Sequence, residues 1–496
     1  MKHILGISAG FHDASVSVIN DNGDVLFAGH SERYSKIKND SVLHPALLAE
    51  LNQWQFDTIA FYERPWMHNL QQMISGQHLY GPWTTKDALR FHLGHWYQKP
   101  AKREVSFSHH LSHAAAGFQT SPFERAAVVV IDAIGELDTV SIYEAWYDQK
   151  GRARYKKVWG QRYPHSIGLF YTAITEHIGL KPMEEEYITM GMSAFGKGFG
   201  TAWLKDRFIE SVNDIRFKEN LHLGIDEYVP FTDHMDLAAS AQSLTETMVT
   251  AIMEKARKLI DCDNLVYMGG VALNCVANSR TTGKYFDKIW IMPNPGDSGS
   301  SLGAAALAYG YRLNWKGAFL GHNIDGEYPV KEILDKLITD KIVGVASGRA
   351  EFGPRALGNR SLLADPRGKN IKDRVNEIKR RQKFRPFAPV ILAECAREYF
   401  DFPDRWFDSP YMQCVATCRE PDRYPAICHV DQTSRVQTVA RDGSGIRQLL
   451  EQWYTLTGCP MLLNTSLNVR GEPMVNNRYD AERFERLYGV TVCGYR

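Results

Sequence analysis

Three arginines stand close together in residues 348–361, which read GRAEFGPRALGNRS. Arg349, Arg355 and Arg360 lie there among glycines, a proline and a single acidic residue. A guanidinium offers a fixed fork of donors that matches phosphate or carboxylate oxygens, and glycine lets the backbone approach such a ligand closely. The segment therefore predicts an anion site, and the alternative is a solvated basic turn.

More basic residues follow in the same part of the chain. Lys379 and Arg385 lie in KRRQKFRPFAP, Arg435 ends DQTSR, and Arg470 ends NTSLNVR. An anion as highly charged as a nucleotide needs several cations in a confined space. Four such basic segments favour this kind of ligand over independent solvated turns.

A pair of histidines four residues apart predicts a second kind of chemistry. If the alanine-rich sequence after His109 is helical, His109 and His113 project from one face. Taken alone, such a pair is either a polar helix face or a metal site. Asp132, after a buried strand, and Asp297, in a PGDSG loop, favour the metal, and imidazoles with carboxylates suit iron, zinc or manganese. His110 is a competing candidate without the four-residue spacing.

The elements that must position these residues show an internal repetition. Strand patterns, turns and a Gly-containing loop recur in one order, with predicted strands at residues 2–8, 14–19 and 25–28, then at 126–131, 139–146 and 155–159. The repetition indicates a duplicated β-β-β unit with a loop after each first strand. This layout resembles the actin/sugar-kinase type of nucleotide-binding fold, in which two such loops hold phosphates.

The remaining pattern predicts helices, one further strand and a domain boundary. Residues 41–111 carry helical patterns and a Trp/His-rich patch at 66–96, which is either a lid facing an acceptor or a helical subdomain. A turn-rich run around 319–329 separates predicted domains 1–325 and 326–496. Other predicted elements are a helix at 108–118, a helix at 240–259, a strand at 264–268 that enters a Gly-Gly loop, and a helix at 301–313.

Composition excludes several classes of protein. With 496 residues, 44% of them hydrophobic, the chain is long enough for two or three globular domains. A net charge of +1 gives no global attraction to nucleic acid or membrane. The absence of an apolar run of about 20 residues or of a signal peptide predicts a cytoplasmic protein without membrane spans. The eight cysteines are expected to be reduced, and Cys414, Cys418 and Cys428 with His429 fit core thiols better than a zinc finger.

Long motifs in a fixed order carry a family resemblance. They are GISAGFHDAS, HHLSHA, GGVALN and PGDSG in the first half, and residues 348–367, FRPFAP and LLNTSLN in the second. In this order the motifs are similar to those of the NodU/CmcH/TobZ family of ATP-dependent O-carbamoyltransferases. The resemblance implies an α/β protein with a duplicated actin/sugar-kinase-like (RNase H-like) N-terminal domain and a YrdC-like C-terminal domain.

The resemblance also implies roles for individual residues. In the second domain, Arg355, Lys379, Arg385 and Arg435 would bind carbamoyl phosphate, and Asn464, Thr465, Ser466, Asn468 and Arg470 would bind nucleotide phosphates. In the first domain it implies the metal ligands His109, His113, Asp132 and Asp297, iron as the metal, and nucleotide contacts at Gly269, Gly270, Asn274 and Gly299. His12, in the first loop, would act as a general base or bind the carbamoyl oxygen, and its alternative is a capping or core histidine.

Two positions depart from the family pattern. The family usually has glycine where Ala133 follows Asp132, and lysine where Ile188 stands. Alanine narrows the conformations open to the loop, and isoleucine removes a cation. The identity of the acceptor is therefore the least transferable inference.

The function predicted is an O-carbamoyltransferase. It makes carbamoyl-adenylate from carbamoyl phosphate and ATP, with magnesium, and passes the carbamoyl group to a hydroxyl of a natural product, a sugar or a 5-hydroxymethyl pyrimidine of DNA. We keep a homodimer as a hypothesis. The alternatives are a sugar-kinase-like phosphotransferase, which leaves the basic segments without a role, and a nucleotide-binding regulator without turnover.

Overall fold

The structure, a computed structural model, describes residues 2–75, 81–97, 101–225, 229–230 and 233–496. They form two units. Unit 1 contains the chain up to Ser31 and Asn39–Lys316, and unit 2 contains Glu32–Lys38 and Gly317–Arg496. The sequence predicted one boundary, between residues 325 and 326. It did not predict that the seven residues Glu32–Lys38, from the N-terminal half, belong to unit 2.

The elements of the described residues follow in chain order. The strands are β1 His3–Ser8, β2 Ser15–Asn20, β3 Val25–His30, β4 Phe56–Phe61, β5 Arg103–Ser106, β6 Arg125–Gly135, β7 Asp138–Tyr147, β8 Ala153–Arg162, β9 Ile209–Ser211, β10 Arg216–Phe217, β11 Asn264–Met268, β12 Lys288–Trp290, β13 Phe319–Ile324, β14 Ile342–Ala346, β15 Gly348–Glu351, β16 Arg360–Ala364, β17 Ala388–Leu392, β18 Phe400–Asp401, β19 Val415–Cys418, β20 Thr433–Arg435, β21 Gln437–Val439, β22 Met461–Ser466 and β23 Val492–Cys493. The helices are α1 Glu32–Ser35, α2 Pro45–Glu50, α3 Pro65–Ile74, α4 Thr85–Leu93, α5 His109–Thr120, α6 Ile167–His177, α7 Glu186–Met192, α8 Thr201–Phe208, α9 His234–Leu259, α10 Cys275–Thr281, α11 Ser300–Tyr309, α12 Val330–Thr339, α13 Ile371–Ile378, α14 Ala396–Tyr399, α15 Gly445–Thr457 and α16 Arg478–Tyr488.

Unit 1 contains two five-stranded sheets with one topology. The first has the order β3-β2-β1-β4-β5 and the second has the order β8-β7-β6-β11-β12. In each sheet the first three strands in sequence pair antiparallel, and the next two extend the sheet in parallel. This repeat of order and direction confirms the predicted duplication and the α/β class.

Small residues let two helices pack closely on the first sheet. A Cβ atom at Gly303 of α11 would lie 1.8 Å from the carbonyl oxygen of Ser112 in α5. At Gly6 of β1 a Cβ atom would lie 1.9 Å from the carbonyl oxygen of Ser301 in α11. Only glycine permits backbones to approach this closely. The small-residue sequence of α11 therefore serves packing that places the start of α5 and the loop before α11 near each other.

Unit 2 is built on a six-stranded mixed sheet with the order β21-β17-β22-β16-β14-β23. The central strand β22 pairs antiparallel with β16 and β17, with Ser466 opposite Ser361 and Asn464 opposite Ala388. Helices α12, α15 and α16 supply buried apolar side chains such as Leu337, Trp453 and Phe484 to its core. Unit 2 is therefore an α/β unit as well.

The prediction for the segment 41–111 is extended by the structure. The segment 41–111 is not only a helical insertion, because β4 and β5 lie within it and complete the first sheet. Residues 76–80 of its Trp/His-rich patch lie outside the described residues.

Cys414, Cys418 and Cys428 are buried free thiols. Within the described part of the chain, no helix combines the length and the apolar character that crossing a membrane requires.

Candidate functional site

Helix α5 positions the histidine pair. The backbone is extended at Ser108 and turns helical at His109, so that His109 and His113 lie one turn apart on the same side. Both side chains are buried, and their Nε2 atoms are 3.1 Å apart. The helix thus points two imidazole nitrogens at one position.

Two aspartates complete this group from other elements. Asp132 lies near the end of β6, and Asp297 lies in the turn before α11. Asp297 Oδ1 is 3.2 Å from the Nε2 atoms of both His109 and His113. Asp132 Oδ2 is 3.3 Å from His109 Nε2 and 3.2 Å from His113 Nε2. We call these four residues the His/Asp cluster.

The backbone fixes which oxygen of Asp132 faces the histidines. Its Oδ1 accepts hydrogen bonds from the N–H groups of Ala133, at 2.9 Å, and Gly270, at 3.2 Å. A Cβ atom at Gly270 would lie 3.1 Å from that oxygen, tighter than an ordinary contact. Oδ2 is therefore left to face the two imidazoles, as expected for an oriented metal ligand.

The spacing of the His/Asp cluster fits a metal ion. Its four ligand atoms all lie within 4.8 Å of one another, and the measured nitrogen–nitrogen and nitrogen–oxygen separations are 3.1 to 3.3 Å. Neighbouring ligands with bonds of about 2.1 Å lie about 3.0 Å apart in an octahedron and about 3.4 Å apart in a tetrahedron. The donor set also has the nitrogen and oxygen composition that first-row transition metals accept.

Electrostatics favour a cation at this position. Burial alone would raise the pKa of the Asp297 carboxyl, but His109 and His12 hold it well below its usual range. Burial lowers the pKa of the His109 imidazole, yet the charge of Asp297 and hydrogen bonds to Asp132 and Asp297 raise it well above its ordinary value. The two buried carboxylates thus require positive charge beside them, which protons or a metal ion can supply.

The competing candidate His110 faces a different neighbour. Its Nδ1 lies 2.8 Å from the hydroxyl oxygen of Ser141, and the residue is buried. Burial holds the pKa of His110 well below its ordinary value. His110 is therefore a neutral core histidine, outside the His/Asp cluster.

His12 lies next to the cluster on the loop after β1. Its Nδ1 is 2.9 Å from Asp13 Oδ2, and its Nε2 is 3.5 Å from Asp297 Oδ2. Burial lowers the pKa of His12, but Asp297 and Asp13 outweigh burial and raise it to about 9. The N–H groups of Asp13 and Ala14 donate to the carbonyls of Asn39 and Asp40, which fix this loop within unit 1.

Motif reasoning missed a buried glutamate behind the cluster. Glu63 Oε2 is 3.7 Å from His109 Nδ1, and Glu63 Oε1 is 3.4 Å from His68 Nδ1. Burial raises the pKa of this carboxyl, but the two histidines more than offset it and lower the pKa to about 2. The sequence signal for Glu63 is an acidic residue two positions after an apolar strand, β4.

Contacts within unit 1 explain the residue type at three positions that were predicted to contact a nucleotide. Gly269, with φ of +90°, could not carry a Cβ atom, which would lie 2.2 Å from the Ile131 carbonyl oxygen. At Gly299 a Cβ atom would lie 1.9 Å from the Asn294 carbonyl oxygen. The side chain of Asn274 caps α10 by accepting from Ala277 N–H at 3.0 Å and exchanges two hydrogen bonds with Gln242.

The two departures from the family pattern lie at defined places. Ala133 follows Asp132 within β6, and its Cα would be 2.7 Å from a Cβ atom placed on Gly168. Ile188 is buried in α7. The isoleucine therefore serves the apolar core where the family usually has a cation.

In unit 2 the predicted basic segments meet around β22. The Asn464 amide, at the centre of β22, donates to the carbonyl of Ala356 at 3.1 Å and to Gln437 Oε1 at 2.7 Å. These contacts join the segment of Arg355 to β21, which begins two residues after Arg435 at the end of β20. Buried Asn464 and half-buried Thr465 thus lie where two basic segments converge.

Lys379 joins the other two segments. This buried ammonium donates to Ser466 Oγ at 3.3 Å, to the Asn468 carbonyl at 2.9 Å and to Asn468 Oδ1 at 2.9 Å. Burial and the charges of nearby Arg381, Arg385 and Lys38 lower its pKa well below the ordinary value. Arg385 is half-buried and Arg470 is exposed. Lys379 therefore shapes the turn after β22 as well as adding charge to it.

The opening arginine-rich segment divides into two kinds of residue. Arg360 is fully buried, and its guanidinium donates to the backbone carbonyls of His322, Ser347, Gly348, Asn359 and Asn476. Arg349 donates to the Leu320 carbonyl at 2.6 Å. The expectation of an anion for all three arginines is therefore corrected for Arg349 and Arg360, which bind backbone carbonyls, and the role of Arg355 stays a prediction.

The single acidic residue of this segment accepts hydrogen bonds from backbone N–H groups of the loop. Glu351 Oε1 accepts from the N–H groups of Leu357 at 2.8 Å, Asn359 at 2.9 Å and Arg360 at 3.2 Å. Backbone amides that could bind a ligand anion are thus occupied by a carboxylate of the protein itself. The Glu351 carboxylate therefore holds the conformation of this loop.

Comparison with known proteins identifies the family. The family model described as Carbamoyltransferase N-terminus matches residues 62–306, and the model described as Carbamoyltransferase C-terminus matches residues 334–492. The chain belongs to the carbamoyltransferase family. The resemblance read from the motifs is thereby confirmed, and this carbamoyltransferase is an enzyme of the transferase class.

Individual relatives agree over most of the chain. An uncharacterised protein, sll1178, of Synechocystis sp. is 32% identical, covering 97% of this carbamoyltransferase and 94% of the relative. Nodulation protein NolNO of Sinorhizobium fredii is 30% identical over 95% of this chain and 76% of its own. Among solved structures, full-length HypF in a phosphate- and nucleotide-bound form has a TM-score of 0.35 and 13% identity, covering 62% of this chain and 55% of HypF.

Proposed function

We propose that the chain is an ATP-dependent O-carbamoyltransferase that works in two steps, one in each unit. The observation that carries the proposal is the family match to both units, 62–306 in unit 1 and 334–492 in unit 2. Each unit also has its own cluster of charged side chains, the His/Asp cluster in unit 1 and the basic segments in unit 2. This pairing supports separate activation and transfer sites.

In the first step unit 2 activates the carbamoyl group. Carbamoyl phosphate, ATP and one water yield carbamoyl-adenylate, inorganic phosphate and pyrophosphate. Arg355, Lys379, Arg385 and Arg435 bind the carbamoyl phosphate, and Asn464, Thr465, Ser466, Asn468 and Arg470 bind the phosphates of ATP, which enters with magnesium. Phosphate and pyrophosphate are the leaving groups of this step. Catalysis here therefore rests on positioning the substrates and stabilising their negative charge.

In the second step unit 1 transfers the carbamoyl group to an acceptor. The acceptor oxygen forms a bond to the carbamoyl carbon, the bond from that carbon to the AMP oxygen breaks, and the hydroxyl proton is released to water. Gly269, Gly270, Asn274 and Gly299 form the nucleotide side of this site. His12 is the group beside it that can exchange protons or hydrogen bonds, and its raised pKa favours donation of a hydrogen bond to the carbamoyl oxygen.

The His/Asp cluster would hold a divalent transition metal, and the resemblance favours iron. His109 and His113 would supply Nε2, Asp132 would supply Oδ2, and Asp297 would supply Oδ1. Such a metal supplies Lewis-acid polarisation of a carbonyl or phosphoryl oxygen when bound. The chain's own part is to hold these four atoms and to exclude water, since all four residues are buried.

The proposal includes three classes of acceptor. A hydroxyl of a natural product, of a sugar or of a 5-hydroxymethyl pyrimidine in DNA fits the chemistry equally, and a homodimer is a further hypothesis. A panel of alcohols incubated with carbamoyl phosphate and ATP, with mass spectrometry of the products, tests the class. A phosphorylated product would instead support the kinase alternative, and no product from any alcohol would favour the regulator.

Two alanine variants and one conservative variant test the division between the units. Arg385→Ala is expected to abolish pyrophosphate release that depends on carbamoyl phosphate, while it still transfers from supplied carbamoyl-adenylate. His12→Ala is expected to release pyrophosphate normally and to fail in transfer, and His12→Gln, which keeps a donor, should recover part of the transfer rate. If both alanine variants fail at the same step with the intermediate supplied, the two-site mechanism is wrong.

A further inference from the structure

A buried carboxylate lies directly behind one imidazole of the His/Asp cluster. Glu63 follows β4, is 6% exposed and places its two oxygens toward two histidines. Oε2 is 3.7 Å from His109 Nδ1, and Oε1 is 3.4 Å from His68 Nδ1. A shift of about half an ångström would bring either contact within hydrogen-bond distance. Glu63 therefore lies on the side of His109 that faces away from Asp132 and Asp297.

The position of Glu63 is fixed by contacts of its neighbour. The N–H group of Tyr62 donates to the Ile7 carbonyl of β1 at 3.0 Å. The hydroxyl of Ser112, in α5 between the two cluster histidines, donates to the Tyr62 carbonyl at 2.7 Å. The Tyr62 ring also packs on the His109 ring, with 5.0 Å between centroids. The end of β4 and the start of α5 are thus joined at this point.

The two cluster histidines differ in what their second nitrogen faces. His109 Nε2 faces the cluster, so a ligand role requires a lone pair there and a proton on Nδ1, toward Glu63. Within the described part of the chain neither His109 Nδ1 nor His113 Nδ1 has a hydrogen-bond partner, but His109 Nδ1 has the Glu63 carboxylate 3.7 Å away. Glu63 can therefore act on only one of the two imidazoles.

We propose that Glu63 is a positioning residue that holds His109 in the Nδ1-protonated tautomer, orients its ring and strengthens metal binding. This inference rests on the metal site proposed above. A carboxylate behind a ligating imidazole raises its basicity, and loss of such a partner typically costs 10–100-fold in metal affinity. His68 Nδ1 lies 3.4 Å from the other oxygen of Glu63, so it can pair with that oxygen while Oε2 faces His109.

The test is metal affinity measured by competition with a chromogenic chelator, with Co²⁺ as the probe. Glu63→Gln keeps the shape but removes the charge, and Glu63→Leu removes the acceptor. Glu136→Gln is the matched control, because Glu136 is also 6% exposed but pairs with Arg64, with Oε2 2.7 Å from Arg64 Nη2. The visible spectrum of bound Co²⁺ reports the donor strength of the ligands independently of activity.

We expect Glu63→Gln to bind Co²⁺ about 10-fold more weakly and Glu63→Leu up to about 100-fold more weakly, with an altered spectrum. Glu136→Gln should match the unsubstituted protein. If both Glu63 variants keep its affinity and spectrum, the positioning role is overturned even though the metal site stands. If the unsubstituted protein itself binds no Co²⁺, the metal site fails instead. Should Glu63→Leu not fold, the isosteric Glu63→Gln decides.

Discussion

Charged atoms have different neighbours in the two units. In unit 1 the nitrogens of His109 and His113 and one oxygen each of Asp132 and Asp297 face one another. In unit 2 the guanidinium of Arg360 faces five backbone carbonyls, and the ammonium of Lys379 faces the turn after β22. Charged atoms that converge on one buried position, as in the His/Asp cluster, are available to a ligand ion. A buried cation that binds backbone carbonyls, as Arg360 does, mainly holds the site in shape, and Lys379 also adds charge to the turn that it contacts.

The largest effect expected from this difference concerns Arg360. Replacement Arg360→Ala leaves several buried carbonyls without donors, so we expect a loss of about 3–5 kcal/mol in the stability of unit 2. Arg355→Ala, in the same segment but half-buried, should stay within about 1 kcal/mol. Calorimetric unfolding of both variants measures the contrast. Equal losses would mean that Arg355 has a structural role like that of Arg360.

Metal removal is the corresponding test in unit 1. A metal bound only by the folded cluster stabilises it by about 2.7 kcal/mol when free metal is at 100 times its Kd. A chelator should therefore lower the unfolding temperature, and re-addition of the metal should restore it. His113→Ala serves as the control, since a chelator should change its unfolding little. If the chelator does not change the unfolding temperature of the unsubstituted protein, this expectation is contradicted.

The smallest effect concerns another buried cation of unit 2. Arg447 donates to Glu394 at 2.6 and 2.8 Å, and these hydrogen bonds lower the pKa of Glu394 to about 2. A carboxyl with a lowered folded-state pKa stabilises the fold above its unfolded-state pKa and loses this effect as pH falls toward 2. Because Glu394 is partly exposed, the effect is about 1 kcal/mol.

The measurement for this pair is denaturant unfolding at several pH values. Glu394→Gln should be less stable than the unsubstituted protein at pH 7, and the gap should shrink steadily below pH 4.5. A gap that is independent of pH would show that the carboxylate charge contributes nothing to the pair.

Local patterns predicted much of the fold because they depend on neighbours in sequence. The strand predicted at 264–268 is Asn264–Met268, and the helix predicted at 108–118 is His109–Thr120. The duplicated sheets followed from the repeated order of strand and turn. The inclusion of Glu32–Lys38 in unit 2 could not be predicted, because it depends on distant partners such as Asp480, which binds Lys36.

The candidate site was predictable where spacing alone defines it. His109 and His113 are four residues apart on one helix, and this spacing alone puts both side chains on the same face. The structural roles of Arg349 and Arg360 were not predictable, since an arginine that binds backbone carbonyls and one that binds phosphate look alike in sequence. Glu63 was missed for the same reason, because its significance depends on a contact with a helix more than 40 residues further along the chain.

The central claim is that the His/Asp cluster of unit 1 binds a metal through His109 and His113, and elemental analysis of purified protein tests it most directly. The unsubstituted chain should carry about one transition metal ion per molecule, as expected for a single closed set of four ligands. His113→Ala should lose it, and the control His110→Asn should keep it, since His110 faces Ser141. Equal metal content in all three proteins, or none in the unsubstituted chain, would contradict the account.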